Sequence, residues 1–281
     1  MNKEQLLPNN IFGLTSIKDA QPSPWRLGIQ GAPGTGKTWA ALTFPNPIVL
    51  DFDNKLAAHY GREDVQVIQF WDQKFIAEYL YQPGKSPPKP SMPPNRRDAI
   101  KKWLREQAPL IPAGFTLILD SWTTVQNSFD DYTNADPPMS KKGEIDTFAF
   151  WGMKLQYSIE LAGFLKGLAC NVVVIFHEIA DRDDEGRLNG KLKPMMQGQF
   201  ADQLQAHFTD WYRQHANEKK RKNADGSYSY EGTEYLWQVK ADALANCTAS
   251  WLTTKVALTK HNLLLIPANY NALLEHSGRT Q

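Results

Sequence analysis

Trp25-Arg-Leu-Gly-Ile-Gln30 runs without a break into Gly31-Ala-Pro-Gly-Thr-Gly-Lys-Thr38, and a helical stretch from Lys37 to about Thr43 follows, stopped by Phe44-Pro-Asn-Pro47. The spacing of Gly31, Gly36, Lys37 and Thr38 satisfies GxxxxGK[ST], and each residue type has a chemical reason. Glycines let backbone N–H groups turn inward around phosphate oxygens, and the start of a helix favours negative charge. A lysine at position 37 reaches β- and γ-phosphates, while a hydroxyl at position 38 ligates magnesium. The expected nucleotide contacts are therefore Gly31, Ala32, Pro33, Gly34, Thr35, Gly36, Lys37 and Thr38, with Trp39 beside them. ATP and Mg2+ are the expected cofactors. A strand before the loop and a helix after it are the context that separates such a site from a bare glycine turn.

Outward from this loop the chain alternates strands and helices. Pro47-Ile-Val-Leu-Asp-Phe-Asp53 reads as a strand ending in carboxylates, and Val65-Gln-Val-Ile-Gln-Phe70 as a shorter one. Phe115-Thr-Leu-Ile-Leu-Asp120 and Asn171-Val-Val-Val-Ile-Phe176 are apolar throughout, as strands covered on both faces must be. Ile100, Trp103, Leu104 and Ala108 predict an amphipathic helix. A longer helix starting near 146–150 would turn Trp151, Leu155, Ile159, Ala162 and Leu165 inward. Near the C-terminus, Thr209-Asp-Trp-Tyr-Arg-Gln-His215 and Tyr235-Leu-Trp-Gln-Val-Lys240 flank the turn-like Asn223-Ala-Asp-Gly-Ser227 and predict an antiparallel hairpin. The fold expected is α/β, a mostly parallel central sheet flanked by helices and extended by that hairpin. Residues 1–23 read as an arm and 24–281 as one domain, with a proline-rich insertion at 82–94.

Hydrophobic residues at 42% and charged residues at 22% are enough for a packed core without staples. Cys170 and Cys247 are far apart and form no CxxC or Cys/His cluster, which argues against a zinc site or disulfide framework and fits a reducing cytoplasm. The N-terminal residues lack a secretory apolar region, and no run approaches membrane-spanning length. A net charge of +1 means that any nucleic-acid binding rests on local basic patches.

Asp120, at the end of its apolar strand, is the expected partner of Thr38 in holding magnesium. Its successor is Ser121, where AAA+ proteins and helicases usually carry a catalytic glutamate. The ensemble of Gly31–Thr38, Phe44-Pro-Asn-Pro-Ile-Val-Leu-Asp-Phe-Asp53, Leu117-Ile-Leu-Asp-Ser121, Val172-Val-Val-Ile-Phe-His-Glu178 and Lys193-Pro-Met-Met-Gln-Gly-Gln199 resembles the phage RecA-like ATPases. These are short recombinase-core proteins that act as single-strand annealing proteins in phage recombination, also grouped as phage nucleotide-binding AAA proteins. The resemblance spans about residues 24–215 and implies a P-loop NTPase with a RecA-like core.

That resemblance puts Asp53 where such enzymes carry a water-activating glutamate, one methylene longer. It places the strand ending at Phe176 between the phosphate-loop strand and the Asp120 strand, with His177 and Glu178 near the γ-phosphate. Lys37, Asp53 and Glu178 are thus the expected catalytic residues. Glu178 departs from the amide of the pattern, leaving open a magnesium-bound water or a lysine as its partner, and His177 is either a phosphate sensor or a structural histidine.

DNA contact is implied in two loops, residues 134–147 with Lys141 and Lys142, and residues 179–199 with Arg182, Arg187, Lys191 and Lys193. Phe148, Phe150 and Trp151 either offer a stacking face or belong to the helix core. Lys219-Lys-Arg-Lys222 is either a DNA contact or a solvated hairpin end. Implied partners are single-stranded DNA, further copies of the chain and a single-strand-binding protein, in a host bacterial cytoplasm. Lys240 and Lys255 are candidates for a basic group acting across a subunit interface, and Ile11-Phe-Gly-Leu14 for an apolar anchor. A remodelling ATPase or helicase loader, a nucleotide kinase and a non-hydrolysing switch are the competing readings.

Overall fold

Every residue of strand β1 (Arg26–Gly31) is buried, because the chain there must pass through the centre of a sheet with helices on both sides. The computed structural model describes residues 23–80, 96–183, 185–196, 203–223, 225–241, 245–249 and 265–277. The arm as far as residue 22, its segment Ile11–Leu14, the insertion 82–94 and Lys255 lie outside the described residues. From β1 the chain continues through α1 (Lys37–Ala41), β2 (Pro47–Asp51), β3 (Gln66–Gln69), α2 (Gln73–Leu80) and α3 (Arg96–Glu106). Next come β4 (Thr116–Asp120), α4 (Trp122–Ala135), α5 (Thr147–Lys166), β5 (Asn171–Arg182) and β6 (Leu188–Pro194). The last elements are β7 (Asp210–Lys222), β8 (Tyr228–Gln238), β9 (Thr248–Ala249), β10 (Leu265–Pro267) and α6 (Tyr270–Ser277).

The strands lie in the order β10-β8-β7-β1-β5-β4-β2-β3. From β7 to β3 all pairs are parallel, whereas β8 and β10 close one side antiparallel. Strand β5 lies between β1 and β4, and its register sets His177 beside Gly31. One apolar layer gathers Leu50, Leu117, Leu119, Phe176 and Trp211 with Trp103, Phe129 and Leu165 from the helices. The opposite layer gathers Leu27, Ile29, Ile118 and Ile175 with Ala40, Phe44, Trp237 and Leu273. Among the described residues no helix is long and apolar enough to cross a membrane.

Three local expectations need correction. Helix α1 ends at Ala41 rather than Thr43, the chain turning there through bonds from Thr43 N to Ala40 O and Phe44 N to Ala41 O. Helix α5 is capped by Asp146, whose Oδ1 accepts from Ala149 N at 3.0 Å, but it buries Ser158, Leu161, Ala162 and Leu165. Trp151, Leu155 and Ile159 are exposed instead, as is Phe148 at 92%. This helix is apolar on several sides, so spacing alone does not select the face that packs. Residues 179–194 are not a loop. Strand β5 continues past the sheet to Arg182 and folds back on β6 as a hairpin.

Candidate functional site

The phosphate loop is shaped by Gly34 and Gly36, at φ +78° and +80°, a left-handed backbone that costs other residues energy. At Gly36 a side chain is also excluded by contact, since a Cβ would lie 2.6 Å from the Tyr235 ring. Thr35 braces the turn, its hydroxyl donating to Ala32 O at 2.8 Å. Lys37 folds back over the loop and its ammonium donates to Gly31 O at 2.9 Å and Ala32 O at 2.7 Å. Burial pushes the Lys37 amine down to about 8, against the pull of Asp120 and Glu178.

The strand ends bring three carboxylates toward this loop. The Thr38 hydroxyl donates to Asp120 Oδ2 at 2.6 Å. Burial pushes the Asp120 carboxyl up to about 6; the Thr38 hydroxyl opposes that rise, and the charges of Asp53 and Asp51 add to it. Asp51 is a building residue, its Oδ1 accepting from Asp53 N at 3.2 Å and Asn54 N at 2.9 Å. The turn so formed presents Asp53, which accepts from Lys55 Nζ at 3.2 Å, from Ser121 Oγ at 3.3 Å and from the Thr124 hydroxyl. His177 Nε2 stands 3.4 Å from Asp53 Oδ2. Burial alone would push the Asp53 carboxyl up, but the bonds from His177, Thr124 and Lys55 outweigh it and hold it well below the usual carboxylate range.

These groups share a cleft of about 660 Å³ lined by Pro33, Gly34, Gly36, Lys37, Thr38, Trp39, Asp53, Asp120 and His177. Lys55, Ala58, His59, Arg62 and Tyr235 complete it, none of them singled out from the sequence. Lys55 follows Asp53 closely enough to have been found. Tyr235 arrives from β8 and packs against Trp39 at a tilt, centroids 5.5 Å apart, a meeting no local pattern announces. Glu178 has a side-chain partner that was not among those expected. Both of its oxygens are held by Arg213, Nε at 3.0 Å and Nη2 at 3.2 Å, with both side chains largely buried. The side chain that meets it is thus an arginine of β7 and not a lysine.

Whether the residues fit magnesium and a nucleotide can be judged from the donor set. Thr38 and Asp120 supply hard oxygens, which suit magnesium. Among the described residues no cluster of three His, Cys, Asp or Glu could cage a metal alone. Lys37, tied to its own loop carbonyls, is the cationic donor beside the cleft, and His177 Nδ1 is buried without a hydrogen-bond partner. The residues fit.

The expected DNA contacts divide. Lys141 and Lys142 are exposed on a turn bracketed by the Met139–Ile145 bridge. On the β5–β6 hairpin, Arg187 pairs with Asp183 at 3.0 Å and with Glu185, and Lys193 pairs with Asp181. Arg182 donates to Gly186 O at 2.6 Å, and Lys191 is exposed. Lys240 is exposed just beyond the end of β8 and is not among the residues lining the cleft. The family model described as AAA domain matches residues 23–243, from just before β1 to just beyond β8. No curated protein matches the chain.

Proposed function

The chain belongs to the AAA domain family, and from that premise we propose that it is a magnesium-dependent, RecA-like ATPase acting on single-stranded DNA in recombination or annealing. The observation that carries the reading is the 2.6 Å contact between the Thr38 hydroxyl and Asp120, with Lys37 and Asp53 in the same cleft. Magnesium bound there would neutralise charge on the β- and γ-phosphate oxygens. Lys37 exchanges its loop carbonyls for phosphate oxygens, and Trp39 and Tyr235 wall the cleft beside the loop. Asp53, held ionised by its donors, is a weak proton acceptor, so its part is to orient the attacking water and accept a hydrogen bond from it. His177 joins this carboxylate to β5, which leaves the sheet as a hairpin.

The DNA part of the proposal draws on the resemblance to phage RecA-like proteins. It is supported by two hairpins, β5–β6 and β7–β8, that leave the sheet at the edge carrying the phosphate loop. The test is ATP hydrolysis with and without a single-stranded oligonucleotide, at low and moderate salt. Stimulation that fades with salt is expected. In the same assay Lys37→Ala should lose nucleotide binding, whereas Asp53→Asn should bind ATP and lose about a hundredfold or more in turnover. Full turnover in Asp53→Asn would remove that carboxylate from the mechanism. No stimulation and no DNA binding would overturn the DNA part and point to remodelling of a protein partner.

A further inference from the structure

We infer that the outer half of the β7–β8 hairpin is a binding surface for single-stranded nucleic acid, with Tyr228 and Tyr230 stacking on bases and Lys220 and Lys222 contacting phosphates. This deepens the reading above and rests on it. Strand β7 is in register with β1 only as far as Arg213, opposite Gln30, and then runs on to Lys222. At strand rise this is about 30 Å of projection. Residues 216–222 and 225–231 are exposed on the described part of both strands. A two-stranded ribbon gains little stability of its own in water, so its outer half is not there to build the core.

Its composition is not that of an inert extension. Lys222 pairs with Tyr228 and Lys220 with Tyr230, and directly opposed residues share a face. That one face therefore alternates cation and aromatic, both tyrosines about two-thirds exposed, at 66% and 64%. Aromatic faces beside a basic track are what unpaired bases and their backbone require. The tip is built, not loose. Asn223 Nδ2 donates to Ser227 Oγ at 2.9 Å, Ser227 N to Asp225 Oδ1 at 2.9 Å and Gly226 N to Asn223 O at 3.0 Å. Tyr230 is steadied by its hydroxyl contact with Thr233 at 2.6 Å.

Acidic groups are present but weakly placed. Lys220 lies 2.8 Å from Glu218 and Lys219 lies 3.1 Å from Glu234, exposed pairs that a phosphate can displace. Asp225 is engaged by Ser227, and Glu231 sits where the register shifts. Arg221 and Lys222 make no ion pair among the described residues. The β5–β6 hairpin contrasts with this, since its Arg187 and Lys193 are neutralised by Asp181, Asp183 and Glu185. Further in, the tyrosine-bearing face of β8 also presents Tyr235, opposite Ala216, to Gly36 and Trp39. One ribbon face thus joins the proposed strand contact to the nucleotide cleft.

The test is fluorescence anisotropy of labelled oligothymidylate with the full chain and two paired variants, Tyr228→Ala/Tyr230→Ala and Lys220→Ala/Lys222→Ala. The tyrosine pair should weaken binding at least about tenfold at every salt concentration, and Tyr228→Phe/Tyr230→Phe should stay within about twofold of the parent. The lysine pair should flatten the slope of log Kd against log salt by about 1.4. Unchanged thermal midpoints, expected because the tip packs on no core, establish that the variants are folded. Tight binding by the parent and both alanine pairs alike would overturn the hairpin site and leave the DNA reading standing. A loss confined to the lysine pair would overturn the stacking role, and failure of the parent to bind at low salt would overturn both. Comparing oligothymidylate with oligouridylate shows which strand chemistry the surface prefers.

Discussion

Lys37 is a cation held largely out of water. Its ammonium is satisfied by two loop carbonyls but sits buried, which is why its amine titrates near 8 instead of 10.5. The sign of the linkage follows. Between about 8 and 10.5 the unfolded chain holds the proton and the folded one does not, so stability without nucleotide should rise with pH across that window. Nucleotide affinity should move the other way, because phosphate binds the ammonium form. It should change by no more than about twofold between pH 7 and 8 and fall about tenfold by pH 9, as titration calorimetry with magnesium and ATP would measure. An affinity independent of pH between 7 and 9 would mean that Lys37 is not the group meeting the phosphates. Asp53 is the opposite case, a carboxylate stabilised by donors from two other elements and ready as an acceptor at every physiological pH.

At the scale of elements, the arginine clamp on Glu178 ties together the bases of the two hairpins. Arg213 belongs to β7 and Glu178 to β5, the two neighbours of β1, so the ion pair spans the strand that feeds the phosphate loop. Glu178 directly follows His177, so movement at Asp53 and movement of either hairpin act on the same short stretch of β5. Arg213→Ala would leave a largely buried carboxylate without its partner and should cost about 3 kcal/mol in urea unfolding. Glu178→Ala/Arg213→Ala should recover part of that loss, as coupled neighbours do. Equal losses in the single and double variants would show that the pair is not the source. Here sequence reasoning stopped at the strand. It brought Glu178 to the right end of β5, but that an arginine and not a lysine meets it depended on which side chain β7 delivers.

At the scale of the whole molecule, the described strands form a single sheet with a core on each face, and the phosphate loop lies at one edge of it. Phe176, fully buried between Trp122, Phe208 and Trp211, connects one core to that edge because His177 follows it. Phe176→Ala should destabilise the protein by about 3–5 kcal/mol, measured by denaturant unfolding, through lost burial and the cavity left behind. A loss below about 1 kcal/mol would mean that the aromatic cluster refills the space, which its close packing argues against. Outside the cores, α5 leaves Phe148, Trp151, Leu155 and Ile159 exposed, and the extended hairpins carry most of their charge far from any packed layer.

By itself, the amino-acid sequence determined the apolar strands, the phosphate loop at the end of β1 and the carboxylates at the ends of β2 and β4. These follow from local rules: continuous apolar runs make doubly covered strands, glycines permit the turn, and parallel strands bring their C-terminal ends to one edge. Only the tertiary structure decided that Asp53 meets His177 and Thr124, that Tyr235 closes over Gly36, and that α5 buries Leu161 rather than Trp151. It also decided which cations are spent, pairing Lys193 with Asp181 while Lys222 faces Tyr228. The physical reason is that such meetings depend on register between segments far apart in the chain. Periodicity tells which residues share a face, and only packing tells what that face will touch.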